Sequence, residues 1–254
     1  MRQSEFDGRG SRIRWTESEG EGAALVYVHG LGSMSAVYHA HVAGHPALAG
    51  RRQLFVDLPG HGISDRPADF GYTLEDHAGA LAAALDAAGV TGAELVAHSM
   101  GGAVAVVLAD RRPDLVTRLV LTEANLDPNP VPTAGSSGIA SYTEEEFVHG
   151  GGFAAVLERV GPLWAATMRL ADPLGLHRTA IGLVRGTEPT MRELLMKLPV
   201  DRTYLVGGLD DSLPGRAELV GSGVRVVTIP DAGHNIMFDA PAAFVREVAG
   251  PAAV

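Results

Sequence analysis

Short aliphatic and β-branched runs, closed off by glycine, alternate along most of this chain with alanine-rich stretches of helical length, and that alternation most restricts its fold. Ala24 to Val28, Gln53 to Val56, Ala93 to Ala97, Val116 to Leu121, Thr203 to Val206 and Val224 to Ile229 are near-continuous apolar runs. Strands covered on both faces read this way, whereas a sheet with one wet face alternates apolar and polar. Leu74 to Ala88, Met100 to Arg111 and Pro241 to Ala249 have helical length, often with apolar residues at i, i+3 and i+4. The pattern predicts an α/β fold with a mostly parallel central sheet flanked by helices, plus an edge strand near Arg12 to Glu17.

The alternation stops between Asn125 and Pro199, where helical segments punctuated by Gly and Pro follow one another without a strand. This predicts a helical cap over residues 125–199 inserted into a core made of residues 1–124 and 200–254. Within it, Thr143 followed by three glutamates reads as a capped helix start. The balance of 46% hydrophobic to 20% charged residues is that of a soluble globular chain. A net charge of −10 removes the phosphate attraction behind non-specific nucleic-acid binding, so a nucleic-acid partner is not expected. The chain has no cysteine, which excludes disulfides, thiolate metal sites and a Cys nucleophile. The polar start MRQSEFDGRG carries no apolar signal core, and the longest apolar run, Met100 to Ala109, is too short to span a bilayer. A cytoplasmic protein without membrane contact is the expectation; oligomeric state is not legible.

Chemistry concentrates at four places. In Ala97-His98-Ser99-Met100-Gly101 a strand runs into a helix with serine at the join and small residues two before and two after it. A strained turn of this kind presents the hydroxyl at a helix N-terminus, so Ser99 is the candidate nucleophile. A second strand ends in His29-Gly30-Leu31-Gly32, where glycine lets backbone approach a ligand; the Gly-Lys ending of a phosphate-binding loop is missing. A late Gly233-His234 follows the last strand run and supplies a candidate general base. Two carboxylates compete to orient it: Glu123, at the end of a strand run, and Asp210, in Gly207-Gly-Leu-Asp-Asp after the next. Asp57-Leu-Pro-Gly-His61 reads as a structural turn, His98 as lining or underlying the pocket, and His39, His41 and His45 lack a carboxylate at metal-site spacing, so no metal is expected.

These segments, in the order Ser, acid, His, resemble the α/β-hydrolase superfamily. The resemblance implies an α/β-hydrolase fold with an inserted helical cap, and an oxyanion hole built from the backbone N–H groups of Leu31 and Met100. The closest likeness is to a bacterial subgroup with an E-G-N-L-x-P segment, a later E-F-V and a G-H-x-x-M-Y near the end. Here these read Glu123-Ala-Asn-Leu-Asp-Pro, Glu146-Phe-Val and Gly233-His-Asn-Ile-Met-Phe. The subgroup commonly has no acid at the Asp210 position, which favours Glu123; the Asp210-Asp211 pair keeps the alternative open. The implied activity is a cofactor-free serine hydrolase, esterase- or lactonase-like, acting on a small, largely apolar substrate. Carbon–carbon bond hydrolysis, thioester hydrolysis or acyl transfer, a perhydrolase and a non-catalytic small-molecule receptor are the alternatives. Phe147, Phe153, Leu157, Trp164, Met168 and Leu183 are the cap residues expected to compete between pocket wall and cap core.

Overall fold

The structure, a computed structural model, describes residues 1–129 and 137–250. Eight strands form one sheet: β1 (Arg2–Glu5), β2 (Arg12–Ser18), β3 (Glu21–Val28), β4 (Arg51–Asp57), β5 (Ala93–His98), β6 (Val116–Thr122), β7 (Asp201–Gly207) and β8 (Arg225–Ile229). They lie in the order β1-β2-β4-β3-β5-β6-β7-β8. Pairs β1–β2 and β2–β4 are antiparallel, and the remaining pairs are parallel.

Each of the six apolar runs read as strands falls on a strand of this sheet to within a residue. Along β3, Leu25 and Tyr27 face one hydrophobic core while Val26 and Val28 face another, so the run is apolar throughout because both faces are covered. The elements outside the sequence reading include β1 and α1, each for a physical reason. β1 is a four-residue polar strand, RQSE, held by its pairing with β2 rather than by burial. The helix α1 (Ser35–Ala43) buries Ser35 and His39 together with Tyr38 and Val42, a mixture that hides helical periodicity.

Helix α2 (Leu74–Ala87) starts with a capping box in which Thr73 and Asp76 satisfy each other's backbone N–H. Helix α3 (Met100–Arg111) is buried from Met100 to Ala109, so the longest apolar run is a core helix. Between β6 and β7 the described residues form five helices: α4 (Glu144–Val148), α5 (Gly152–Arg159), α6 (Pro162–Met168), α7 (Pro173–Arg185) and α8 (Met191–Lys197). The expected cap at Thr143 is present, its Oγ1 accepting from Glu146 N–H at 3.2 Å. The chain ends in α9 (Arg216–Gly221), α10 (Ile236–Asp239) and α11 (Pro241–Ala249). No described helix is long and apolar enough to cross a membrane.

Strand order places the site. From β3 the chain moves to β4 on one side, then returns to β5 on the other, so the connections leaving β3 and β5 diverge and open a crevice at their carboxyl ends. Val28 pairs with Ala97, which sets the turns after β3 and β5 side by side.

Candidate active site

Ser99 sits between β5 and α3 with φ 52° and ψ −121°. A side chain with φ in this region is strained, and only tight surroundings hold it there. Those surroundings are visible at the glycines. A Cβ on Gly101 would collide with the carbonyl oxygens of Val28 and His29, and one on Gly102 with the Cβ of Ala124. Glu123 also has positive φ, 50°, one of only four non-glycine residues to do so among those described. The candidate nucleophile and a candidate acid thus share the backbone strain that marks functional turns.

The turn after β3 lies against the serine. A Cβ on Gly30 would stand 3.0 Å from His98 Nδ1 and 3.2 Å from Ser99 Cβ, which explains the glycine. Met100 opens α3, so its N–H has no carbonyl a turn earlier in the helix to bond, and Leu31 lines the same cavity. His29, fully buried, locks the turn: its Nδ1–H donates to Gly30 O at 2.7 Å and its Nε2 accepts from Leu58 N–H at 3.0 Å. Burial pulls its pKa down to about 4, so the ring is neutral and suited to both bonds. From the helices between β6 and β7, Trp164 Nε1–H donates to Leu31 O at 2.7 Å, tying α6 to the turn.

His234 lies between β8 and α10, with Nδ1 3.8 Å from Glu123 Oε2. Glu123 follows β6 directly, and its Oε1 accepts from Gly207 N–H at 2.6 Å. That carboxylate crosses the end of β7, the strand from which Asp210 would have to act. Asp210 instead ends an exposed 3-10 turn, Gly208–Asp210, and has no ion pair with His234 among the described residues. Asp211 is engaged elsewhere, with Arg216 and Thr228. Two contacts hold the His234 loop. His98 Nε2–H donates to His234 O at 3.0 Å, and Asp239 Oδ2 accepts from Gly233 N–H at 2.9 Å. His98 is buried and its pKa is pushed well below the usual histidine range, first by desolvation, so it acts as a neutral brace.

The remaining sequence candidates have structural partners. Asp57 is buried, accepts from Ser35 N–H at 2.8 Å and Ile63 N–H at 3.1 Å, and closes the turn after β4. His61 bonds Pro59 O, His39 bonds Ser35 O, His41 bonds Met237 O, and His45 caps a 3-10 turn.

Ser99, His98 and His234 open into a cavity of about 160 Å³. Of the six cap residues singled out in the sequence, Trp164 and Leu183 line it. Phe147 and Met168 are wholly buried, and Phe153 and Leu157 pack against the core beside them; these four serve packing, because helices this short must bury one face. Sequence reasoning passed over Asn125, whose Oδ1 accepts from the Ser99 hydroxyl at 3.4 Å. It belongs to the E-A-N-L segment, but no sequence signal tells which of those side chains faces the serine.

The family model described as "alpha/beta hydrolase fold" matches residues 23–145, the stretch carrying β3, the serine turn and Glu123. The chain has the α/β-hydrolase fold. It is 28% identical, over 94% of its own length, to the dihydrolipoyllysine-residue acetyltransferase component of the acetoin cleaving system of Pseudomonas putida. It spans 65% of that relative, and as little as 30% of others like it. Among solved structures, an esterase from Thermogutta terrifontis superposes with a TM-score of 0.76 at 24% identity, over 97% of this chain and 95% of that one. An enol-lactonase from Burkholderia xenovorans gives 0.75 at 22%, over 94% and 96%. Identities this low speak for the fold.

Proposed function

We propose that this α/β-hydrolase cleaves a carboxylic ester or lactone of a small, largely apolar compound through an acyl-enzyme on Ser99. The observation that carries the reading is the convergence, on one cavity, of a serine at a positive-φ strand-to-helix turn with a histidine facing a half-buried carboxylate. His234 takes the Ser99 proton as the hydroxyl attacks the carbonyl carbon and returns it to the leaving oxygen. Glu123 faces Nδ1, holds the ring in the tautomer whose Nε2 is free to accept, and stabilises the imidazolium. The N–H groups of Leu31 and Met100 receive the oxyanion, each donor of this kind contributing about 2.7–4 kcal/mol. Water, activated by His234, then releases the acid and restores Ser99. The 3.8 Å gap between His234 and Glu123 is wider than a hydrogen bond, as expected of a site that tightens when substrate excludes water. The scheme draws on protein groups and water alone.

Intact-mass analysis after exposure to a fluorophosphonate, with peptide mapping, tests the reading without a known substrate. One adduct on Ser99, lost in Ser99→Ala, is expected. Folded protein that takes no adduct, and consumes no member of an ester and lactone panel, overturns it.

A further inference from the structure

Asn125 is placed with more care than a loop residue needs. Its neighbours on both sides are anchored: Ala124 is buried against Gly102, with its carbonyl accepting from Tyr204 OH at 2.9 Å, and Leu126 is buried with its carbonyl accepting from Arg192 N–H at 2.9 Å. In extended chain successive side chains alternate, so with Ala124 and Leu126 turned into the core, Asn125 and Asp127 are turned out, and both line the cavity. Asp127 is occupied by a two-pronged pair with Arg192, at 2.8 and 2.6 Å, which fixes the segment further. Among the described residues the Asn125 side chain braces no backbone group, and its hydrogen-bond partner is the Ser99 hydroxyl. Across the cavity stands an apolar wall of Trp164, Ala180, Leu183 and Val184 from the cap.

Two consequences follow from that placement. An amide oxygen beside the nucleophile is positioned to accept a hydrogen bond from a substrate O–H or N–H next to the scissile carbonyl. The same oxygen holds the Ser99 proton in the resting site, so a substrate donor that occupies it frees the hydroxyl to turn to His234. We infer that Asn125 is a specificity-determining residue that selects esters or lactones bearing a hydroxyl or N–H donor on the carbon next to the carbonyl, their apolar remainder lying on the cap wall. This inference rests on the Ser99 hydrolase reading and names the substrate class for that site. An analogue lacking the donor leaves the Ser99 hydroxyl held by the amide oxygen, so that bond must be broken before the hydroxyl turns to His234, whereas the donor-bearing substrate replaces it.

The test compares phenyl 2-hydroxybutyrate, phenyl 2-methoxybutyrate and phenyl butyrate on wild type, Asn125→Leu and Asn125→Asp. Each ester is read by kcat/KM and by its protection of Ser99 against fluorophosphonate. Wild type is expected to prefer the hydroxy ester to both others by about tenfold or more, since the methoxy group offers no donor. Asn125→Leu should bring the ratio near one, while Asn125→Asp, which keeps an acceptor, retains a preference for the hydroxy ester. A wild-type ratio near one, or a ratio that survives Asn125→Leu, by either readout overturns the inference while leaving the hydrolase reading intact. Absence of both the adduct and any ester consumption in wild type overturns the hydrolase reading and the inference with it.

Discussion

Replacing Glu123 by Gln is the perturbation that separates the two candidate acids. The substitution keeps the shape, and the new amide oxygen still accepts from Gly207 N–H, the 2.6 Å bond that seats the residue, so the fold should survive with little change in Tm. What disappears is one negative charge 3.8 Å from His234 Nδ1. At an effective dielectric constant of about 20, a pair at this distance is worth about 4 kcal/mol to an imidazolium, or about a thousandfold in rate. That value is a ceiling, because the Glu123 side chain keeps 20% of its exposure and water screens part of the field. The assay is the second-order rate constant of Ser99 labelling by fluorophosphonate, followed by kcat/KM on whichever ester the panel yields. Glu123→Gln should slow both by a factor of about a hundred to a thousand. Asp210→Asn, at an exposed turn with no bond to the histidine, should change them by about twofold or less. A larger loss in Asp210→Asn than in Glu123→Gln would refute the assignment and show that the loop after β7 swings in when substrate binds.

Three further outcomes are expected. Gly102→Ala should cost about 2 kcal/mol, its new methyl meeting the Ala124 Cβ, and Gly102→Ala/Ala124→Gly should recover more than half of it in urea unfolding; equal stability of the single and double variants would show that the packing yields elsewhere. Trp164→Phe keeps an aromatic ring but removes the N–H that bonds Leu31 O, so labelling should slow by up to about tenfold with an unchanged circular-dichroism spectrum; full activity would show that α6 does not hold the turn after β3. Burial holds the pKa of His29 at about 4, of His39 and His61 at about 3, and of His77 and His98 well below the ordinary histidine range. Groups depressed in the fold contribute stability that is present above about pH 6.5 and is lost as pH falls toward their folded values, at about 1.4 kcal/mol per unit for each. Asp57, raised by burial to about 6, runs the other way, gaining as pH falls from about 6 to its unfolded value near 3.8. Five histidines against one aspartate give a net loss on acidification, so chemical denaturation at about pH 7 and about pH 5 should show much lower stability at the latter; a flat profile would mean that these rings are hydrated.

The sheet was legible because burial on both faces leaves an uninterrupted apolar run, and local composition records that directly. Ser99, Gly101 and Gly30 were legible for a related reason: a turn that admits no bulk restricts the sequence at the turn itself. His234 could be picked out from its place after the last strand, although the contacts that hold its loop, from His98 and Asp239, come from residues far and near with no shared pattern. The competition between Glu123 and Asp210 is of a different kind. Both follow strands, both are preceded by apolar runs, and nothing local distinguishes them; the positive φ at Glu123 and the N–H offered by Gly207 exist only once β6 and β7 are paired. Asn125 makes the same point. Its segment could be read as a motif, but that its side chain meets the serine depends on Ala124 filling the space left by Gly102, a contact between residues 22 positions apart that only packing creates. Composition and period therefore determined the fold and the turn at Ser99, where the constraint is local, and tertiary structure decided which carboxylate faces His234 and which amide faces Ser99, because those choices are made by distances across the sheet.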